Sequence, residues 1–166
     1  MSRFKTLRWG RFLVPFIALA AVVALSGGAA LADSSCRMVY GRFTLTPVTG
    51  PDCASPVGVC ADGSYIGSIL ATSEFVGSSI IPTADTPTTS VVLLTGDNSF
   101  TLRDGTLITK DAITLKTTGQ GEFAEVDVIV GGTGAWAGAT GTLTGQGTFT
   151  LENGGEGSYT GTVCFP

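Results

Sequence analysis

The chain has 166 residues, 24 of them glycine, with nine basic and thirteen acidic side chains and no histidine. The missing histidine excludes Ser-His-Asp, Cys-His and His-metal chemistry. The length supports one hydrophobic core behind a leader segment, and no internal repeat points to a solenoid.

Arg3, Lys5, Arg8 and Arg11 precede the apolar run Phe12–Leu25, which leads through Gly27 and Gly28 to Ala30-Leu31-Ala32. A basic head, an apolar centre and a small-residue site predict a secretory signal peptide over residues 1–32, cleaved after Ala32. The apolar run is shorter than the roughly 20 residues that a membrane-spanning helix needs. Asp33-Ser34-Ser35 before Cys36 is not the apolar and small triplet that a lipoprotein requires. Cleavage leaves one domain, 33–166, with five basic residues (Arg37, Arg42, Arg103, Lys110, Lys116) against thirteen acids, an excess of eight negative charges. Such a chain repels nucleic acid and anionic lipid, so neither is an expected partner, and the expected location is extracellular.

Cys36, Cys53, Cys60 and Cys164 all lie in the exported part, and an even number in an oxidising compartment reads as two disulfides. Three pairings are open. The favoured one joins Cys53 to Cys60, clamping a Pro/Gly loop, and Cys36 to Cys164, tying the first strand to the last. No two cysteines have Cys-x-x-Cys spacing, so no metal site is expected, and no cofactor is implied.

Arg37–Thr46 predicts the first strand, with Met38, Tyr40, Phe43 and Leu45 as its apolar positions and a bulge near Gly41. Residues 47–63, holding Pro47, Pro51 and Pro56, read as a long loop stapled by its own bridge. Ser64–Phe75 returns as a strand, and Ser78–Thr89, with Pro82 and Pro87, reads as a loop or an edge. Ser90–Thr95, Ser99–Arg103, Thr106–Thr109 and Ala112–Thr118 follow as short strands or pieces of longer, bent ones. They are broken at Gly96-Asp97-Asn98, at Lys110-Asp111 and at the Asp104-Gly105 pair, a strong tight-turn signal.

Phe123–Val130 alternates with a period of two. Its uniformly apolar side, Ala124, Val126, Val128 and Val130, is the expected core face, which places Glu125 and Asp127 in water. A Gly-rich corner, Gly131–Gly141, carries a single bulky side chain, Trp136, expected to drop over one end of the sheet. No Lys follows Gly134-x-x-x-Gly138, so the corner is not a phosphate loop. The next strand sets Leu143, Gly145, Gly147, Phe149 and Leu151 against a Thr/Gln face, small residues alternating with large ones as the taper of a small barrel requires. Asn153-Gly154-Gly155 turns into the last strand, Gly157–Phe165. No amphipathic helix is evident beyond the leader, and the class is all-β.

The corner Gly131-Gly132-Thr133-Gly134-Ala135-Trp136-Ala137-Gly138-Ala139-Thr140-Gly141, entered from an apolar strand and left by a Thr/Gly strand, resembles the motif of the allene oxide cyclase and dirigent-like barrel superfamily. Phe100-Thr-Leu-Arg-Asp-Gly105-Thr-Leu-Ile-Thr fits the same pattern, and the resemblance spans about 65–164. It implies a single closed eight-stranded antiparallel β-barrel, often with an apolar cavity, in which Cys36–Cys164 would bridge the seam between first and last strands. A shared fold does not by itself carry a reaction.

Two kinds of residue remain as candidates for chemistry. Tyr40, Tyr65, Phe123, Trp136, Phe149 and Tyr159, with Glu74 at a strand end, are candidates to line an apolar ligand cavity. Glu125 and Asp127, two apart on one strand, share a face and would form an acid/base pair if that face looked inward. Asp97, Asp104 and Asp111 read as turn residues. The expected function is binding of a small apolar molecule, steering its cyclisation or isomerisation by confinement, with no nucleophile or metal. The alternative is a non-catalytic extracellular protein whose barrel is filled by its own side chains.

Overall fold

The computed structural model describes residues 35–166; the signal peptide read over 1–32 lies outside them. Eight strands run in chain order: β1 (Ser35–Val48), β2 (Cys60–Gly67), β3 (Ala71–Asp85), β4 (Ser90–Leu102), β5 (Gly105–Lys116), β6 (Glu122–Gly132), β7 (Thr140–Thr150) and β8 (Gly154–Phe165). Each pairs antiparallel with its neighbour in sequence, and β8 pairs with β1, so the sheet closes on itself.

The seam is fixed by register. Cys36 lies opposite Cys164 and is bonded to it, while Phe43 lies opposite Gly157. A Cβ at Gly157 would overlap the Phe43 ring, so a bare backbone on β8 is what lets that ring fill the lumen. The second disulfide, Cys53–Cys60, clamps the β1–β2 loop. Two bridges fit an oxidising environment. Among the described residues no helix is long and apolar enough to cross a membrane.

Several strands differ from the sequence expectation. Ser64–Phe75 is two strands, turned at residues 68–70, where Ser68 exchanges hydrogen bonds with the Tyr40 backbone and Ile69 folds into the core. An apolar turn residue hides that turn. β3 then continues through 78–85 as a hairpin arm with β4, and two register shifts absorb the bend and Pro82. Gly96-Asp97-Asn98 and Lys110-Asp111 interrupt nothing: β4 and β5 are each continuous. The β1 pairing runs without a bulge at Gly41. Val39, Phe43 and Leu45 share its inward face, so Met38 and Tyr40 point outward. The Asp104-Gly105 turn forms as expected.

One end of the barrel is plugged. The corner forms a single 3-10 turn, Gly134–Trp136, that lays the indole across the opening, where Trp136 Nε1 donates to Asp104 Oδ1 (3.2 Å). Phe165 packs on the indole with ring centroids 5.5 Å apart, and the Arg37 guanidinium stacks over Phe165 at 4.6 Å. Beneath this plug Phe100, Leu107, Leu143 and Val163 are fully buried.

The two disulfides close loops of very different length, with partners 128 and 7 residues apart. Loop-closure entropy gives about 5 kcal/mol for the long link and about 2.5 for the short one. Urea unfolding is expected to show Cys36→Ser/Cys164→Ser losing about twice the stability lost by Cys53→Ser/Cys60→Ser. Equal losses, or a larger loss from the short bridge, would contradict the role of the seam.

Candidate functional site

The opposite end of the barrel is open. Val59, Ile80, Val92, Leu94, Leu115 and Phe149 line an apolar vestibule of about 400 Å³ there, overhung by the β3–β4 arm. Four of these, Val59, Leu94, Leu115 and Phe149, also line a smaller inner cavity of about 40 Å³, whose other walls include Tyr65, Asn98, Phe123 and Glu125. The vestibule therefore narrows to a space for about one or two water-sized groups.

Below the inner cavity lies a polar layer. Strand parity builds it: Leu94 and Phe100 carry Asn98 inward on β4, Leu107 and Ile113 carry Thr109 and Asp111 inward on β5, and Phe123 and Ile129 carry Asp127 inward on β6. The register sets Asp111 directly opposite Asp127, with Glu125 two residues along β6. Glu125 leans across to β7, where a Cβ at Gly145 would overlap its Oε1, so the glycine makes room for the carboxyl. Thr109 Oγ1 donates to Asp111 Oδ1 at 2.6 Å. Asn98 Oδ1 and Asp127 Oδ1 are buried with no hydrogen-bond partner in the protein. Tyr65 stands at the centre of the lumen, its ring 5.0 Å from Phe100, 5.2 Å from Phe43 and 5.6 Å from Tyr159.

This reverses the expected face of β6. Val126, Val128 and Val130 are about half exposed on the outer wall, while Asp127 is 4% exposed. Both faces of the strand carry apolar residues, and the bulkier pair, Phe123 and Ile129, takes the interior. Asp111 is likewise a lumen residue and not a turn residue, whereas Asp97 pairs with Lys110 on the outer wall and Asp104 holds the indole.

The aromatic candidates divide by place. Tyr65, Phe123 and Phe149 line the inner cavity. Tyr159 is buried deeper: its hydroxyl accepts from Ile69 N–H (2.9 Å) and donates to the Ile69 carbonyl. Trp136 plugs the far end, away from the vestibule. Tyr40, 69% exposed, and Glu74, also exposed, stand on the outer wall because Val39 and Phe43 on β1, and Ser73 and Phe75 on β3, take the inward parity. Ser73, Asn98, Thr109 and Asp111 are polar lumen residues that sequence reasoning missed; continuing the alternation through Leu94–Phe100 and Leu107–Ile113 would have found the last three.

Three carboxyls turned into the lumen, Asp111 and Asp127 buried and Glu125 half-buried, cannot all hold charge cheaply. Burial pushes Asp111 up to about 6, against hydrogen bonds from Thr109 and Asn98 that hold it down. Burial, and then the Asp111 charge, push Glu125 up to about 8. Asp127 goes up to about 10, through burial first and then Glu125 and Asp111. Burial and the three acids raise Tyr65 well above the ordinary phenol, so it remains a donor. The layer thus holds carboxyl protons at neutral pH, ready to be given up or shared. It does not converge as a metal site: among the described residues no group of three or more His, Cys, Asp or Glu could hold an ion.

In the unfolded chain these carboxyls titrate near ~4. The folded protein therefore binds more protons than the unfolded chain above that pH, and its stability falls as pH rises through the folded values. The chain has no histidine and no free cysteine, the side chains that ordinarily titrate between about 5.5 and 8.5. Tm is expected to drop by roughly 5–10 °C across that range. Replacing Asp111 and Asp127 by Asn should flatten the fall; a Tm that is constant or rises with pH in the unsubstituted protein would contradict the account.

No protein-family model matches the chain, and no curated protein does. Among solved structures it is similar to the pterocarpan synthase dirigent protein GePTS1 at 13% identity, over 80% of this chain and 86% of that one, with a TM-score of 0.34. A likeness at that identity and score carries no argument for an activity, and the closure of the barrel stands on its own strand register.

Proposed function

We propose that the protein is an exported barrel that takes a small, mainly apolar molecule into its open mouth. The body of the molecule lies in the vestibule, and one polar end meets Tyr65, Asn98 and Glu125. The observation that carries this reading is the apolar funnel of about 400 Å³ ending on a polar floor, the combination that small-molecule sites share. Glu125, a carboxyl that still holds its proton near neutrality, then stands where it can give a proton to the bound molecule or take one from it. Cyclisation or isomerisation by confinement and proton transfer needs no nucleophile and no metal.

A second reading has its own support. The lumen below the mouth keeps only the inner cavity of about 40 Å³, and a wide groove of about 990 Å³ crosses the β7-β8-β1-β2 wall, lined by Arg42, Gln146 and Glu156 together with Phe43, Ile66 and Phe123. On that reading the protein is a non-catalytic extracellular interaction module that meets its partner through the groove.

Titration with the neutral fluorophore N-phenyl-1-naphthylamine separates the two. The proposal expects saturable binding that weakens about tenfold when Leu94→Arg puts a charge in the vestibule. Gln146→Ala in the outer groove should leave it unchanged. Loss of binding with Gln146→Ala but not Leu94→Arg would favour the groove.

A further inference from the structure

The polar floor has an unusual balance of charge and donors. Three carboxyls face the lumen, yet none of the five basic residues among those described does so. Lys110 is on the outer wall, paired with Asp97, and Arg37 stacks at the plugged end. Arg42 and Arg103 are exposed, and Lys116 stands at the rim, where it pairs with Glu122 at 3.3 Å. Asn98, 6% exposed, lines the inner cavity with an Oδ1 that accepts from no protein group. A buried acceptor left without a donor loses the hydrogen bond it had to water, which a donor brought from outside restores.

Size limits what that donor can be. The inner cavity of about 40 Å³ admits a head group of about one or two heavy atoms and excludes a ring, while the vestibule above it is large enough and apolar enough for the body of a small molecule. An ammonium has the required volume, three N–H donors and a positive charge. It can replace a carboxyl proton as the partner of Glu125 and also donate to Asn98 Oδ1, two demands that a hydroxyl meets only in part.

We propose that the molecule held at this mouth is a primary amine on an apolar body, its ammonium seated in the inner cavity against Glu125 and Asn98. This rests on the reading of the mouth as a small-molecule site and names the class of molecule. Binding is linked to protons. The groups facing Glu125 are Tyr65 from β2, Asp111 from β5, Asp127 from its own strand and Tyr159 from β8; β7 offers only Gly145, and Lys116, Glu122 and Glu152 stand at the rim. Seating a cation there drives the carboxyl proton off Glu125 into solvent, so affinity rises with pH until the amine itself loses its charge.

Calorimetric titration of the full protein with 2-phenylethylamine, 2-phenylethanol and phenylacetate tests this, since all three share one aromatic body. At pH 8 the amine should bind about tenfold tighter than the alcohol, and phenylacetate weakest. At pH 5 the preference for the amine should shrink towards parity. Titrations at pH 7 in buffers of different ionisation heat should show protons released by the amine and none by the alcohol. Glu125→Gln should abolish the preference while the alcohol still binds; Asn98→Leu is the second variant should that one fail to fold, and Glu74→Gln on the outer wall should change nothing. Equal affinity for amine and alcohol, or a preference that survives both lumen substitutions, overturns the amine assignment and leaves the mouth as a site. Binding of none of the three overturns both.

Discussion

Side chains alternate between the two faces of a strand, so burying Phe123 and Ile129 carries Glu125 and Asp127 into the lumen with them. The rest of the structure accommodates that consequence. An eight-stranded barrel has an interior just wide enough for side chains, and here the interior must house three carboxyls along with its aromatic stack. Gly145 gives Glu125 its place, Thr109 and Asn98 bond Asp111, and the remaining strain is relieved by protonation. The apolar cost of the arrangement appears on the outside, where three valines of β6 stay half exposed.

The two ends of the barrel are built for different tasks. The Cys36–Cys164 bridge, the Trp136 turn and the Arg37–Phe165 stack all lie at one end and fix the seam there. The other end carries the β1–β2 loop with its Cys53–Cys60 bridge, the β3–β4 arm and an apolar lining that opens outward. Closure of the sheet holds the carboxyls of β5 and β6 in register.

Much of the framework was legible in the sequence. The four cysteines, the Asp104-Gly105 turn, the Trp-bearing glycine corner and the Thr/Gly alternation of β7 each carry a local signal with one physical meaning. The polar layer was hidden for two reasons, and the turn between β2 and β3 for a third. β6 is apolar on both faces, and counting valines favours the face that loses once the volumes of Phe and Ile are weighed. Asn98 and Asp111 sit in Gly-Asp-Asn and Lys-Asp stretches, compositions that signal turns when they occur between strands and here occur within them. The turn at 68–70 contains Ile69 and lacks glycine and proline, so two strands read as one. In each case the long-range pairing of a closed sheet overrides a local preference.

The central claim is that Asp111, Glu125 and Asp127 share the interior and retain protons that surface acids have lost. Carbon-13 NMR titration of the side-chain carboxyls reads this directly, residue by residue. The account predicts that the Glu125 and Asp127 signals still report the protonated form at pH 6.5, and that Asp111 changes near the pH where its neighbours have not yet begun. Full ionisation of all three by pH 5 would place them in water and contradict it.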